Sequence, residues 1–168
     1  MIESNTHKGL APEELEDVFL EALERKMRAA VSMYVDALQV LQEVSGLEAV
    51  EAVRQKRLQR TLQSAAALRR ELGEDSLVAY CAALETGCRF SHSWVKVQDS
   101  ETCQEYRFVR CLWADVFRSL DAQEFGYWIC EADGPAAAAF NPRIEFQRTR
   151  TLMLGDDCCD HCYKLKTS

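Results

Sequence analysis

The spacing of apolar residues changes once along this chain, near residue 88, and this change restricts the folds that the chain can adopt. Before it, apolar residues recur every three or four positions, as at Leu15, Val18 and Ala22, which is the period of a helix. After it, successive residues alternate in character, as in the segment from Phe90 to Val97, which is the period of a strand. Helices followed by strands, rather than alternating with them, favour an α+β fold.

Glycine and proline divide the two regions into elements. Pro12 suits the first position of a helix, and Ser45-Gly46 and Gly73 are typical of helix ends. The predicted long helices are therefore 12–44, 47–72 and 75–86, and two short helices are predicted at 112–120 and 123–131. The predicted strands are 90–97, 104–111, 143–152 and 159–166, and the alanine run after Gly134-Pro135 is predicted as a loop.

These elements predict a single domain over residues 1–168. In its helical part, 12–87, long N-terminal helices pack on an antiparallel sheet of about four strands. The part from 88 to 168 supplies that sheet, the short helical insertions and a group of cysteines. Residues 1–10 are expected to be disordered.

Charge and composition exclude several classes of partner. The net charge is −7 and no run of Lys and Arg offers a footprint for nucleic acid, so none is expected as a partner. No apolar run approaches the roughly 20 residues that span a bilayer, so no membrane partner is expected.

The polar segment Met1–Asn5 lacks the apolar core of a signal peptide, and we expect a cytoplasmic protein. In that compartment the eight cysteines indicate reduced thiols, metal binding or catalysis rather than disulfides.

A cysteine and an aspartate three residues apart, Cys130 and Asp133, lie on one face of a predicted helical turn. A carboxylate beside a thiol raises the pKa of the thiol, so this pair suits proton transfer better than activation of a thiolate. The alternative is a buried structural cysteine beside an acid at a helix end. The spacing alone does not separate the two.

Two arginines, Arg148 and Arg150, are two positions apart on a predicted strand and should therefore point to the same face. Such a pair can hold a carboxylate or a phosphate. The alternative is an exposed sheet face on which the arginines pair with acids such as Glu145.

The segment from Cys158 to Cys162 is rich in soft metal ligands, and Cys159 and Cys162 have the spacing of a zinc site. A second pair of this kind is missing from the sequence. On a strand, Cys159 and His161 would share one face while Cys158 and Cys162 share the other, so all four could not bind one ion. No cofactor is therefore expected, with a soft metal ion such as zinc as the alternative.

Three of these segments together resemble the 2-aminothiazoline-4-carboxylate hydrolase family. They are the strand end Phe108-Val109-Arg110-Cys111, the Cys130-x-x-Asp133 pair, and the stretch from Arg148 to Asp160, which is similar to Arg-Thr-x-Thr-Leu-x-x-Gly-Asp-x-x-Cys-Asp. The resemblance is good over roughly residues 104–165 and only general upstream. Cys158, His161 and Cys162 depart from the family pattern.

The resemblance implies a small α+β domain that uses water to open a cyclic amidine-like C–N bond in a small sulfur-containing acid. Cys130 would act as nucleophile or thiol acid, and Asp133 would move a proton or position the water. Cys111 and Cys159 would complete the catalytic pocket. Arg148, with Arg150 and Asp160, would bind the substrate.

Other functions fit the same residues. One is a soft-metal or organometal site, in which Cys111, Cys130, Cys159 and His161 are the candidate ligands. Another is a relative that binds a small ligand without turnover. The partner in each case is a small molecule, and pairing of the long helices between two copies would give a homodimer.

Overall fold

The structure, a computed structural model, describes residues 11–166, so the disorder expected for residues 1–10 lies outside the described residues. Its elements follow one another along the chain as helices α1 (Pro12–Leu72) and α2 (Leu77–Cys88), strands β1 (His92–Asp99) and β2 (Cys103–Cys111), helices α3 (Leu112–Ser119), α4 (Gln123–Glu131) and α5 (Asp133–Phe140), strand β3 (Ile144–Gln147), a 3-10 helix (Leu152–Leu154) and strand β4 (Cys159–Leu165). The predicted fold class, α+β with a four-stranded antiparallel sheet, is confirmed.

The long helix α1 contains the break predicted at Gly46. This residue has φ 78° and ψ 178°, a left-handed conformation that glycine adopts without the steric cost of a Cβ atom. The helix ends at Leu72, where the N–H of Gly73 donates to the carbonyl of Arg69 at 3.1 Å. A sequence with two helical stripes therefore forms one long element with a kink.

The sheet has the strand order β1-β2-β4-β3, with every neighbouring pair antiparallel. Its inner face is aromatic and packs against α2 and α5. The buried residues of this first core cluster include Tyr106, Phe108 and Tyr163 from the sheet, Leu77, Tyr80 and Cys81 from α2, and Ala137 and Phe140 from α5.

A second core cluster lies where α1 packs on the short helices. Val31 and Val35 of α1 contact Val116 and Phe117 of α3, and Met153 of the 3-10 helix joins them. Elsewhere on the surface of α1, apolar residues such as Met33, Val40 and Val44 are exposed. The homodimer stays a prediction for this surface.

Two predicted elements are wrong. The alanine run is not a loop but helix α5, because alanine favours a helix and Pro135, in the first turn, lacks an N–H that would have no partner there anyway. The strand predicted over 143–152 stops at Gln147. Beyond it, the N–H groups of Thr149 and Arg150 donate to the Asp160 carboxylate instead of to a neighbouring strand.

Within residues 11–166, no helix has an apolar stretch long enough to cross a membrane.

Candidate functional site

A cavity of about 320 Å³ lies between the inner face of the sheet and the helices α2 to α4, where the two core clusters meet. Phe108, Trp113, Ile129 and Met153 form much of its apolar wall. Its polar lining comprises four thiols, two imidazoles and an ion pair: Cys88, Cys111, Cys130, Cys159, His92, His161, Asp133 and Arg148. This size is at the lower end of the range for ligand pockets, about 300–1,000 Å³, and suits a small molecule.

The chain reaches this cavity at the ends of its elements. Cys111 is the last residue of β2 and Cys159 is the first of β4, and the register places Cys159 opposite Phe108 on β2. Cys130 lies in the last turn of α4, and Asp133 is the first residue of α5. Sheet pairing and a short helix-to-helix connection thus gather side chains that are distant in sequence.

The ion pair is the best-defined contact of the site. Arg148 Nη1 donates to Asp133 Oδ2 at 2.7 Å, and Arg148 Nη2 donates to the carbonyl of Cys130 at 3.2 Å. The guanidinium also lies over the rings of Tyr127 and Phe146, with its carbon 5.8 and 5.6 Å from the ring centroids. With its side chain only 8% exposed, Arg148 holds the Asp133 carboxylate in one position.

Burial and charge set the ionisation of Asp133 and its neighbour His161. Burial raises the pKa of Asp133 to about 6, although the Arg148 guanidinium works in the opposite direction. His161 Nε2 is 3.9 Å from Asp133 Oδ2, and burial together with the Arg148 charge lowers the pKa of His161 to about 3. Near neutral pH, Asp133 is therefore mostly a carboxylate and His161 is neutral.

The thiols of the cavity stay protonated. Burial raises the pKa of Cys130 to about 11 and that of Cys111 to about 12, and it also raises the pKa of Cys159. Nearby donors only partly offset this effect: the Leu152 N–H donates to Cys159 Sγ at 3.2 Å. These residues are consequently neutral proton donors at pH 7 rather than ready thiolates.

Six of the side chains selected from the sequence line this one cavity: Cys111, Cys130, Cys159, Asp133, Arg148 and His161. Their roles stay predictions. Thr151 was missed, although it lies in the Arg-Thr-x-Thr stretch. Its hydroxyl is 3.9 Å from Cys130 Sγ and 3.7 Å from Cys159 Sγ, so it links the two thiols.

Cys88 and His92 also line the cavity, although neither belongs to a recognisable motif. Cys88 is the last residue of α2 and His92 the first of β1, so both enter the cavity through the turn that joins these elements. His92 Nδ1 also lies 2.8 Å from Ser91 Oγ.

The two other predicted substrate ligands lie elsewhere. The prediction that Arg148 and Arg150 project from one strand face is wrong, because both residues follow the end of β3. Arg150 is exposed and pairs with Asp157. Asp160 accepts hydrogen bonds from the N–H groups of Thr149 and Arg150 at 2.8 and 2.6 Å, which makes it the organiser of this loop.

The set proposed as an alternative metal site is not compact. Among the described residues, no three of Cys111, Cys130, Cys159 and His161 bring their ligand atoms within 4.8 Å of one another. The metal alternative at the cavity stays a prediction.

Comparison with known proteins identifies a family whose model covers nearly the whole chain. The model of the L-2-amino-thiazoline-4-carboxylic acid hydrolase family matches residues 13–163. No curated protein sequence matches significantly.

Two solved structures are among those that match this chain, each with low identity. A trafficking protein particle complex subunit 3 from Naegleria fowleri, covalently bound to palmitic acid, has 14% identity and a TM-score of 0.47, with 90% of this chain and 97% of that chain covered. The phenol-responsive sensory domain of the transcription activator PoxR, solved with phenol, has 10% identity and a TM-score of 0.47, with 82% and 74% covered.

Proposed function

The chain belongs to the L-2-amino-thiazoline-4-carboxylic acid hydrolase family, and we propose that it opens the cyclic amidine of a small sulfur-containing acid of this kind by adding water. The observation that carries the proposal is the pairing of Asp133 with Arg148 inside a cavity walled by thiols. The cavity volume of about 320 Å³ suits a five-membered ring with a carboxylate.

Asp133 is the base in this proposal. As a carboxylate held by Arg148, it takes a proton from a water molecule, whose oxygen attacks the carbon between the ring sulfur and the ring nitrogen. The bond from this carbon to the ring nitrogen then breaks as the added hydroxyl becomes a carbonyl. The nitrogen leaves as an amine that has gained both protons of the water, one through Asp133 and one from this hydroxyl. One water is added, and the product is a carbamoyl-cysteine.

Cys130 acts as a thiol acid rather than as the nucleophile. Its pKa of about 11 lies well above that of Asp133, so transfer of the thiol proton to the Asp133 carboxylate is unfavourable. A neutral thiol can still donate a hydrogen bond to the departing nitrogen. Cys111 and Cys159, also neutral, complete a soft and weakly polar wall for the ring sulfur.

Arg148 supplies the positive charge that a carboxylate substrate requires. A guanidinium has five N–H donors. The contacts to Asp133 and to the Cys130 carbonyl use two of its nitrogens, so donors remain for a ligand in the cavity. Arg148 would then orient the base and bind the substrate at the same time.

The direct test is turnover of 2-aminothiazoline-4-carboxylate by the purified protein, with the product identified by mass spectrometry. Wild-type protein should form carbamoyl-cysteine, and Asp133→Asn should not. Asp115→Asn, which removes an exposed carboxylate that does not line the cavity, is the matched control and should keep full activity. Tight binding of this compound without product would instead indicate a relative that binds without turnover.

A further inference from the structure

A second group of cysteines lies on the opposite, outer face of the sheet. Cys103 and Glu105 are two residues apart on β2 and share a face, and Cys162 on β4 is the register partner of Glu105. Cys159 and His161, which alternate with Cys162 along β4, face the cavity instead. The two groups are therefore separated by the thickness of the sheet.

The three ligand atoms already have the spacing of a metal site. Cys162 Sγ is 3.5 Å and Cys103 Sγ is 3.8 Å from Glu105 Oε1, and all three atoms lie within 4.8 Å of one another. In a tetrahedral zinc site with bonds of about 2.3 Å to sulfur and about 2.1 Å to oxygen, a sulfur and an oxygen are separated by about 3.6 Å. We propose that Cys103, Glu105 and Cys162 bind a zinc ion on the outer face of the sheet.

The chemistry of the three donors favours this ion. Two thiolates and one carboxylate form a soft set that suits Zn²⁺ better than Mg²⁺ or Ca²⁺, which prefer oxygen ligands alone. Cys103 is buried, whereas Cys162 and Glu105 are partly exposed, so the ion can enter from solvent and keep its fourth position for water.

One neighbouring residue, Ser100, holds a ligand in place, and another, Lys164, competes with the ion for a ligand. The Ser100 hydroxyl accepts from the Cys103 N–H at 3.0 Å, which fixes the start of β2. Lys164 Nζ lies 3.8 Å from Glu105 Oε1 and competes for this carboxylate. Its side chain is 46% exposed, so it can turn into solvent when the ion binds.

A disulfide between the two cysteines fits less well. Cys103 pairs with Lys164 and not with Cys162, so the two cysteines are diagonal neighbours. Diagonal positions on an antiparallel pair are about 7–8 Å apart, beyond the usual Cα separation of a disulfide, about 4.4–6.8 Å. A metal ion spans the two thiols without moving the strands.

The test is zinc titration of the full-length, reduced, metal-free protein against a chromophoric chelator. Wild-type protein should bind one zinc ion at this site, and Cys162→Ser and Cys103→Ser should weaken binding by about tenfold or more, since even the loss of an outer-shell partner costs roughly 10–100-fold. Glu105→Gln should weaken it similarly. This partly exposed side chain can be changed without disturbing the core, so it covers the case in which a cysteine variant fails to fold.

Two control variants locate the site. Cys158→Ser changes a buried neighbour outside the cluster, and Cys130→Ser changes the cavity; both should bind zinc like the wild type. Cobalt titration should give sulfur-to-metal charge-transfer absorption that is lost in Cys162→Ser. Zinc binding that survives Cys162→Ser but disappears in Cys130→Ser, or no binding by the wild type, would overturn the proposal without bearing on hydrolysis.

Discussion

The two faces of β4 present cysteines in opposite surroundings. Cys159 faces inward into a buried cavity, and the acid near it, Asp133, is held by an arginine. Cys162 faces outward beside a partly exposed carboxylate, Glu105. Its Sγ lies 3.5 Å from Glu105 Oε1, a separation typical of two atoms that bind the same metal ion. The two proposals thus assign the same residue type to hydrolysis on one face and to metal binding on the other, and the alternation of side chains along the strand separates the two groups.

The largest effect should follow from removal of the proposed base. Asp133→Asn keeps the shape of the side chain but cannot take a proton from water, so kcat/KM should fall by about 10²–10⁴-fold, the usual contribution of general base catalysis. Zinc binding on the outer face should be unchanged. Steady-state kinetics and zinc titration of the same preparation check both parts. A loss of less than about tenfold in kcat/KM would assign the base to another group.

A second prediction concerns the arginine that holds this base. Arg148→Lys keeps the charge but loses the planar fork, so affinity for a carboxylate ligand should fall by about 10–100-fold, as for loss of a hydrogen bond between charged groups. Arg150→Lys makes the same change on the exposed side chain two residues later and is the matched control. Binding is measured calorimetrically with the substrate acid. A large fall in Tm with unchanged affinity would limit Arg148 to the internal ion pair.

A third prediction concerns the packing of α4 behind the cavity. A Cβ atom added at Gly126 would lie 2.5 Å from Met153 Sδ and 2.7 Å from Phe117 Cγ, so Gly126→Ala must move α4, the helix that carries Cys130. Overpacking of this kind lowers the free energy of unfolding by about 1–3 kcal/mol. Gly87→Ala, also in a helix, meets no atom within 4 Å and should be neutral or stabilising. Thermal melts compare the two variants, and equal losses would contradict the packing argument.

The smallest effect concerns pH. Because ionised Asp133 is the active form, kcat/KM should fall about tenfold per pH unit below its pKa of about 6, and this dependence should be absent from any residual activity of Asp133→Asn. The stability of the fold should change with pH in the opposite direction to the activity. Folding raises this pKa above its ordinary value of 3.8, so the protonated carboxyl favours the folded state. The stability of wild type relative to Asp133→Asn should therefore be greatest below about pH 4 and decline as the pH rises to about 6.

The ends of helices α3 and α4 could be predicted to within a residue, because the amphipathic pattern of each helix and the turn residues beside it indicate the same ends. The break at Gly46 was also readable, since only glycine adopts that backbone conformation freely. Cys111, Cys130 and Asp133 were found through short motifs that resemble a family.

Long-range hydrogen bonds explain what the sequence did not reveal. The segment from Arg148 to Thr151 has a strand pattern, but its N–H groups donate hydrogen bonds to the carboxylates of Asp160 and Asp156. No local sequence pattern indicates these hydrogen bonds. Arg150 consequently turns outward instead of joining Arg148. The outer cluster was equally hidden, because Cys103 and Glu105 meet Cys162 only through the β2–β4 register. The spacing of Cys159 and Cys162 had suggested zinc, but with the wrong partner for Cys162.

The most direct test of the division between the two faces is a pair of assays on two variants, Cys130→Ala and Cys162→Ser. Hydrolysis of 2-aminothiazoline-4-carboxylate and zinc affinity are measured on the same reduced preparations. Cys130→Ala removes the hydrogen-bond donor for the departing nitrogen, so it should lower turnover and keep zinc binding, whereas Cys162→Ser should lose zinc binding and keep turnover. Loss of both properties in either variant would contradict the account, because it would mean that the cysteines of the two faces serve one site.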